Sequence, residues 1–380
     1  MKVVIAIDSL KGSLSSIEAG KAIKEGILRA INAEVVIKPL ADGGEGTTEA
    51  FVEGFGGEYI SVDVTGPLGK PVKATYGYLK ESKTAIMEMA AASGITLVDP
   101  REKNPMKATS YGVGEMIKDA IKKGCRQFIL GIGGSATNDG GIGMLAALGF
   151  EFLDSKGKAV SYDGEGLAHI TSIKTDKVLK ELRECKFKIA CDVNNPLYGP
   201  NGATYVFGPQ KGVTNEMKEI LDNGMKNYAK VTKLFMKNDY AKEPGAGAAG
   251  GLGFACISYL NATLEPGISL ILDAINLEND LKDADYVITG EGRLDYQTSM
   301  GKAPIGVAKL AKKYNCKVIA LAGSVTKDAI KCNEEGIDAY FSILTQVVSL
   351  KEAMDKEIAR SNIIQTTEQI FKLIKTIKEK

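Results

Sequence analysis

Compact apolar runs alternate along this chain with stretches whose apolar residues recur at helical spacing. Val3–Ile7 is the first run, a capping box at Ser15–Glu18 then begins a predicted helix, and Val35–Ile37 is the next run. A strand, a helix and a strand in this order predict a β-α-β unit with parallel strands and a right-handed crossover. Because the same alternation returns later in the chain, the sequence predicts an α/β fold.

A different pattern begins near residue 58. Tyr59–Val64, Val72–Leu79 and Thr84–Met89 have the composition of short strands, and turns that contain Gly and Pro join them. Strands that follow one another without intervening helices predict a meander rather than a parallel unit.

These two patterns predict two domains. Strand-then-helix order resumes towards the end of the chain, where Leu350–Lys378 has the amphipathic pattern of a helix. We predict a discontinuous Rossmann-like parallel-sheet domain, residues 1–55 plus 284–380, and an inserted mixed α/β domain, residues 56–283.

Charge, hydropathy and cysteine usage exclude several classes of protein. The chain has 48 Lys and Arg against 47 Asp and Glu, so no bulk charge favours nucleic acid or an anionic membrane as a partner. No run of about 18 apolar residues predicts a membrane span, and the N-terminus lacks the pattern of an export signal. The six cysteines have neither zinc nor C-x-x-C spacing, which predicts reduced thiols in a cytoplasmic protein. The oligomeric state is open, with a homodimer as one alternative.

Residues that follow the predicted strands are the candidate site, because ligands of open α/β sheets bind beyond the carboxyl ends of the strands. Six predicted strands end in small and polar residues, and five of the six turns contain an Asp. The chain has 43 Gly, and they cluster in a few such turns, so they call for a local explanation. The six turns are residues 8–13, 41–47, 131–141, 191–196, 288–295 and 322–324.

Two Gly-rich stretches match the G-x-G-x-x-G/A turn. Gly131–Ala136 follows a predicted strand, and its backbone N–H groups would meet a phosphate without obstruction by side chains. Gly245–Gly250 is the second match, but a Pro precedes it, and close helix packing is the alternative there. Neither a P-loop nor the protein-kinase signature set is present.

Charged residues near these turns suit phosphate chemistry. Basic side chains that could hold anions are Lys11, Lys211, Arg293 and Lys302. Carboxylates that could bind Mg²⁺, directly or through water, are Asp42, Glu45, Asp192, Glu291 and Asp295. The single histidine, His169, lies outside any motif, which argues against a Ser-His-Asp hydrolase and against a His-rich metal site.

The motif series resembles that of the bacterial type-1 glycerate kinase family over essentially the whole chain. The matching segments are Asp8–Lys11, Ala41–Thr47, Val64–Gly69, Glu88–Gly94, Gly131–Gly141, Cys191–Pro196, Phe207–Gly212, Pro244–Gly253 and Ile288–Arg293. The resemblance implies two α/β domains facing each other across a cleft. It also implies transfer of the γ-phosphate of ATP to a hydroxyl of D-glycerate, giving 2-phosphoglycerate, with 3-phosphoglycerate as the alternative product.

Phosphoryl transfer requires positioning, Mg²⁺ and neutralisation of charge, and these needs assign roles to the candidate residues. We predict Asp192 as general base or metal ligand, Asp42 as the competing base, and Lys11 as a further catalytic residue. The predicted glycerate contacts are Asp8, Ser9, Arg293 and Lys302, and the predicted metal ligands are Asp192, Glu291 and Asp295. The predicted ATP contacts are Gly131, Gly133, Gly134, Ser135, Asn138, Lys211, Gly245 and Gly247.

Two other classes of protein compete with this interpretation. A nicotinamide-dependent oxidoreductase would use the turn at Gly131, with Glu151 about 20 residues further on as its ribose contact. A non-catalytic binding protein with two domains and a hinge is the second alternative.

Overall fold

A computed structural model of the protein describes residues 1–41 and 46–379. Strands within this part of the chain form three sheets. In chain order they are β1 (Lys2–Ile5), β2 (Glu34–Ile37), β3 (Glu58–Thr65), β4 (Pro71–Leu79), β5 (Thr84–Glu88), β6 (Gln127–Gly131), β7 (Glu151–Leu153), β8 (Ser172–Lys174), β9 (Lys186–Ala190), β10 (Thr263–Glu265), β11 (Tyr286–Leu294), β12 (Lys317–Val325) and β13 (Ala339–Ser342).

The helices of the same residues alternate with most of these strands. In chain order they are α1 (Ser16–Ala30), α2 (Thr47–Phe55), α3 (Ala90–Ser93), α4 (Tyr111–Lys122), α5 (Ile142–Ala147), α6 (Ala203–Phe207), α7 (Asn215–Met236), α8 (Ala248–Leu260), α9 (Gly267–Ala274), α10 (Leu277–Leu281), α11 (Tyr296–Ser299), α12 (Ala303–Lys312), α13 (Lys331–Glu334), α14 (Leu350–Ala353) and α15 (Lys356–Lys378). No helix of the described residues has the length and apolarity needed to cross a membrane.

Two compact units make up the chain, and the first contains both chain ends. It comprises Met1–Asp42, Glu49–Gly56 and Ile268–Lys380. Its five strands are all parallel, in the order β13-β12-β11-β1-β2. β1 lies inside this sheet and its apolar run is fully buried, as expected for a parallel strand covered on both faces. The predicted β-α-β unit is confirmed, including the capping box in which Ser15 and Glu18 begin α1.

The order of the first sheet creates a switch point between β1 and β11. From β1 the chain moves to β2 on one side, whereas β11, β12 and β13 follow one another on the other side. Connections that leave two adjacent parallel strands in opposite directions open a crevice at the carboxyl ends of those strands. The strand order thus marks the position where this unit can bind a ligand.

The second unit comprises Gly43–Thr48 and Gly57–Gly267. Its six-stranded sheet has the order β10-β9-β6-β5-β4-β3, in which β3, β4 and β5 are antiparallel and the remaining pairs are parallel. The predicted meander is therefore confirmed, and so is the mixed character of this unit. β7 and β8 form a separate antiparallel pair.

Two predicted turns of the first unit are wrong, because strand pairing continues through them. β11 extends to Leu294 and β12 to Val325, and the two strands stay in parallel register up to that last pair. Gly290 permits the extension, since its φ of 152° and the Leu321 carbonyl, 1.9 Å from where a Cβ would lie, leave no room for a side chain. Residues expected in loops therefore lie on a rigid sheet.

The predicted C-terminal helix is interrupted. α14 ends at Ala353 and α15 begins at Lys356, because Asp355 takes an extended conformation and its carboxylate accepts the amide N–H groups of Glu357 and Ile358. An N-cap inside an amphipathic pattern separates one helix from the next.

The predicted domain boundaries, residues 1–55 plus 284–380 and residues 56–283, stay a prediction. The compact units place α10, and α9 except for its first residue, in the first unit, so the chain returns to that unit at Ile268.

Candidate active site

A cavity of about 510 Å³ lies in the first unit, at the switch point between β1 and β11. Residues from opposite ends of the chain meet here because these two strands pair. The cavity gathers seven polar residues that the sequence analysis selected: Asp8, Ser9, Lys11, Glu291, Arg293, Asp295 and Lys302. An apolar wall completes it: Ile343, Leu344, Leu350, Ala353 and Met354.

The loop after β1 brings the first three of these residues to the cavity. Pairing with β11 continues beyond the strand itself, since the Asp8 amide donates to the Gly290 carbonyl oxygen (2.9 Å). Asp8 is 5% exposed, and its Oδ1 accepts the Ser9 amide N–H (2.7 Å). Lys11 is exposed at the cavity. A rigid strand end thus holds a buried carboxylate beside an exposed amine.

Glu291 and Asp295 are linked through one threonine. The Thr298 hydroxyl donates to Glu291 Oε1 (2.6 Å), and the Thr298 amide donates to Asp295 Oδ1 (3.3 Å). Asp295 also accepts the Gln297 amide (2.9 Å), which makes it the N-cap of α11. Two carboxylates from β11 and the following turn are thereby oriented towards one cavity.

These carboxylates fit a magnesium ion that relies on its substrate for further ligands. Within residues 1–41 and 46–379, no group of three or more His, Cys, Asp and Glu is arranged as a metal site. Mg²⁺ in phosphotransfer enzymes is usually bound by one or two carboxylates, with waters and substrate phosphates as the remaining ligands. Glu291 and Asp295 match that donor set, whereas Asp192, the third predicted ligand, belongs to the second unit.

The cavity also holds two cationic groups from β11 and α12. The Arg293 side chain is 65% exposed, and its Nε lies 3.7 Å from Asp295 Oδ2. A long, exposed ion pair contributes little to stability, so the guanidinium can exchange Asp295 for an anionic ligand. Lys302 is the N-cap residue of α12 and is half-buried.

In the second unit, the turn that follows β6 is open at its two central glycines. Gly133 and Gly134 are exposed, and a Cβ on Gly133 would meet no atom within 4 Å. Gly134 has a φ of 70°, which a residue with a side chain rarely adopts. The backbone of this turn is accessible in the way that phosphate binding requires.

Lys211 lies under this turn rather than beside the open glycines. It is 2% exposed, and its amine donates to Ser135 Oγ and to the Thr137 carbonyl oxygen, both at 2.7 Å. Burial lowers the pKa of the Lys211 amine to about 7, and the charge of Asp139 opposes that shift. Asn138 is fully buried, and its amide donates to Thr204 Oγ1 (3.0 Å). The side chains of this predicted ATP site thus point into the protein.

Asp139 is a buried residue of this turn that the sequence analysis did not single out. Its carboxylate accepts the amide and hydroxyl of Ser110 (both 2.7 Å) and the amides of Gly141 (3.1 Å) and Gly143 (3.3 Å). Burial raises the pKa of the Asp139 carboxyl, and these hydrogen bonds oppose the shift. The Asp-Gly-Gly tripeptide was the available signal, whereas nothing local indicated Ser110 as partner.

The second Gly-rich match is explained by packing. Gly245 and Gly247 are buried, and a Cβ on Gly247 would lie 2.2 Å from the Pro196 carbonyl oxygen. A Cβ on Gly245 would lie 2.7 Å from a methyl carbon of Leu264. Protein atoms thus fill the space where a side chain on either glycine would lie, and contact of these two glycines with ATP stays a prediction.

Asp192 lies after β9 at the carboxyl edge of the second sheet. It is exposed, and its Oδ1 accepts the amide of Gly267, the first residue of α9 (2.9 Å). Among the described residues, Oδ2 has no hydrogen-bond partner, so one carboxylate oxygen remains for a ligand. Asp42, the competing candidate, and Glu45 fall outside the described residues.

Two further residues fit neither candidate site. Glu151 lies on β7, in the separate two-stranded sheet, and accepts a hydrogen bond from Lys177 (2.9 Å). The dinucleotide fingerprint requires its acidic residue in the same parallel sheet as the turn, so the oxidoreductase interpretation is wrong. His169 is exposed at the end of a short 3₁₀ helix, as expected for a surface histidine.

One unit gathers carboxylates and cations at the carboxyl ends of parallel strands, and the other contains an open Gly-rich turn. Together these features define an α/β enzyme that acts on anionic substrates. A model of the glycerate kinase family matches residues 3–375. Glycerate kinase of Bacillus subtilis is 47% identical over 93% of both chains, and glycerate 2-kinase of Escherichia coli is likewise 47% identical over 93% of both. A crystal structure from Salmonella typhimurium LT2, provisionally named glycerate kinase 2, superposes with a TM-score of 0.92 at 45% identity and covers 100% of both chains. The chain belongs to the glycerate kinase family, and its activity is that of an ATP-dependent kinase acting on glycerate.

Proposed function

We propose that this chain transfers the γ-phosphate of ATP to the 2-hydroxyl of D-glycerate and requires Mg²⁺ to do so. The observation that carries the proposal is the cavity of the first unit, which brings Asp8, Lys11, Glu291, Arg293 and Lys302 together at the switch point of a parallel sheet. The relative from Escherichia coli that is named a glycerate 2-kinase supports the choice of the 2-hydroxyl.

The cationic residues of this cavity are proposed to hold the glycerate carboxylate and to neutralise phosphate charge. Arg293 presents a planar fork of N–H donors that matches a carboxylate in a bidentate manner. The Asp8 carboxylate is proposed to accept hydrogen bonds from the glycerate hydroxyls, and the Ser9 hydroxyl is proposed to donate to them. Lys11 is exposed, and its amine is a point charge suited to the transferring phosphoryl group.

Glu291 and Asp295 are proposed to hold the metal ion. When bound, Mg²⁺ neutralises phosphate charge and orients phosphate oxygens. The chain's own contribution is the orientation of both carboxylates through Thr298, since a fixed donor set loses little entropy when the ion binds.

Asp192 is proposed as the general base that accepts the proton of the attacking hydroxyl. Its Oδ1 is fixed by the Gly267 amide, which leaves Oδ2 to accept that proton. The turn at Gly131, Gly133, Gly134 and Ser135 is proposed to receive phosphate groups of ATP through its backbone N–H groups. Cytoplasmic location and a homodimer stay predictions.

The decisive experiment is incubation of the purified protein with ATP, D-glycerate and Mg²⁺, with the phosphorylated carbon assigned by ³¹P–¹H NMR. We expect 2-phosphoglycerate, loss of turnover with EDTA, and recovery when Mg²⁺ is restored. A 3-phosphoglycerate product would overturn the regiochemistry, and full activity in metal-free buffer would overturn the metal requirement.

A further inference from the structure

We propose that Lys211 is a positioning residue, which acts on ATP through Ser135 and Thr137 and does not itself contact the nucleotide. The proposal rests on the proposed function of the turn after β6 as a phosphate site. It assigns to Lys211 a role different from that of an anion ligand, which its charge alone would suggest.

Burial and hydrogen bonding of the amine carry the first step. Lys211 is 2% exposed, and two of its three N–H donors are used at 2.7 Å, one on the Ser135 hydroxyl and one on the Thr137 carbonyl. A lysine that binds a nucleotide phosphate directly must present its donors to the ligand. Two donors of Lys211 are instead used on residues of the turn itself.

The scaffold that holds Lys211 carries the second step. Lys211 ends a 3₁₀ turn that begins at Pro209, and its amide donates to the Gly208 carbonyl (2.9 Å). Gly212 follows with a φ of 97°, which ends the turn. Because its backbone is fixed in this way, Lys211 holds its amine in a constant position relative to the turn after β6.

The turn is held from its other side by backbone contacts. The Ala136 amide donates to the Ser93 carbonyl (2.9 Å), and the Ile95 amide donates to the Gly134 carbonyl (2.8 Å). Lys211 adds contacts at the two neighbouring residues, Ser135 and Thr137. The exposed pair Gly133 and Gly134 is thereby kept in one conformation, and preorganised donors bind an anion at lower entropic cost.

The charge of Lys211 is balanced at a distance. Asp139 is the charged group that acts on the amine, and its own carboxylate is satisfied by Ser110, Gly141 and Gly143. Since desolvation already disfavours the cation, the amine is better suited to hydrogen bonding within the protein than to attracting a distant phosphate.

A double-mutant cycle with Lys211→Met and Ser135→Ala separates the two roles, with the KM for ATP as its readout. If Lys211 acts through Ser135, Lys211→Met should raise this KM about tenfold or more, with the smaller effect on kcat. The double variant should then be no worse than Lys211→Met alone, because the second change removes a contact already lost. The matched control is Lys103→Met, whose amine donates to the Gln210 carbonyl on the exposed side of the same 3₁₀ turn (3.1 Å) and which should leave KM unchanged.

Multiplicative effects of the two changes would overturn the proposal, because they would mean that the Lys211 amine and the Ser135 hydroxyl act independently of each other. An unchanged KM in folded Lys211→Met would overturn it as well. If Lys211→Met does not fold, the cycle is run with Lys211→Gln, which keeps two N–H donors without charge and should retain part of the ATP affinity. A parent protein that does not phosphorylate glycerate would contradict the proposed function instead, so the two failures are distinguishable.

Discussion

Lys11 and Lys211 have the same amine group, but the two side chains lie in opposite surroundings. Lys11 is exposed at the cavity of the first unit, whereas Lys211 is buried beneath a turn of the second. An exposed amine retains its charge in water and can bind an anion, but a buried amine must satisfy its donors internally. The two lysines should therefore respond differently to substitution.

Removal of the Lys11 or the Arg293 charge should impair the reaction without unfolding the protein. Charge-assisted hydrogen bonds contribute roughly 1.5–3 kcal/mol, so Lys11→Ala and Arg293→Ala should each lower kcat/KM about 10–150-fold. Steady-state kinetics and thermal unfolding check this. Lys309→Ala is the matched control, because it removes only an exposed ion pair with Glu335. Values within twofold of the parent for both variants would contradict the assignment.

Asp192→Asn should remove the proposed base while keeping its structural contact. The amide oxygen of Asn can still accept the Gly267 N–H, so we expect a folded variant whose kcat is about 10²–10⁴ lower and whose ADP affinity is nearly intact. Kinetics and calorimetric ADP titration with and without Mg²⁺ test this, with the exposed Asp176→Asn as control. A matching fall in Mg-ADP affinity would reassign Asp192 to the metal, and a near-normal kcat would move the base to Asp42.

Burial of Lys211 makes the stability of the protein depend on pH. The folded-state pKa is about 7 and the unfolded-state pKa is higher, so between these values the unfolded chain binds more protons than the folded one. The Lys211 amine therefore makes the free energy of unfolding rise with pH above about 7. Below that pH, the free-energy cost of burying the charged amine is present in full. Urea unfolding of the parent and of Lys211→Met at several pH values should show the parent gaining relative to the variant as pH rises. A difference independent of pH would contradict the shift.

Sequence similarity between Gly-rich segments hides a difference in their structural roles. Both matches to the phosphate-turn pattern have the same spacing, yet the turn after β6 is open, whereas the glycines at 245 and 247 are packed against neighbouring residues. The pattern indicates only that the backbone lacks side chains at these positions. It does not indicate whether a ligand or another segment of the chain occupies the space that those side chains would fill.

A matched pair of Gly→Ala variants separates these two roles. Gly133→Ala meets no atom within 4 Å, so stability should change by less than about 1 kcal/mol, while the added methyl group should raise the KM for ATP. Gly247→Ala places a Cβ 2.2 Å from the Pro196 carbonyl oxygen and should lose about 1–3 kcal/mol. Chemical denaturation and ATP kinetics provide the readouts. An unchanged KM for Gly133→Ala would count against the phosphate role of the turn.

Local sequence patterns predicted helices and strands well, but they predicted contacts between residues distant in sequence poorly. The capping box of α1, the parallel pair β1 and β2 and the meander all depend on neighbours in sequence, and they were confirmed. The extension of β11 depends instead on register with β12, which no local pattern contains. Likewise, the partners of Lys211 and Asp139 are distant in sequence, so burial of these two side chains was not predictable.

The arrangement of the chain between its two units has consequences for folding. Nearly all of the second unit is one continuous segment, residues 57–267, whereas the first unit needs both ends of the chain. A compact unit with its own core can in principle fold alone.

We predict that residues 57–267, expressed as a separate chain, fold with cooperative thermal unfolding. This segment contains the whole six-stranded sheet and the pair β7 and β8. The matched control is residues 1–267, in which β1 and β2 lack β11 and should remain unprotected in hydrogen exchange. Circular dichroism and calorimetry provide the test. A broad, non-cooperative transition of the 57–267 chain would contradict the assignment of independent units.

The position of β1 between β2 and β11 also sets an order of events on the ribosome. β1 is made well before β11, so β1 waits on the order of tens of seconds for its second neighbour in the sheet. During that interval the apolar edge Val3–Ile5 is exposed, and an unpaired apolar edge invites association with other nascent chains. The second unit is therefore complete before the first, and we expect Val3–Ile5 to be the part of the first sheet that most needs a chaperone.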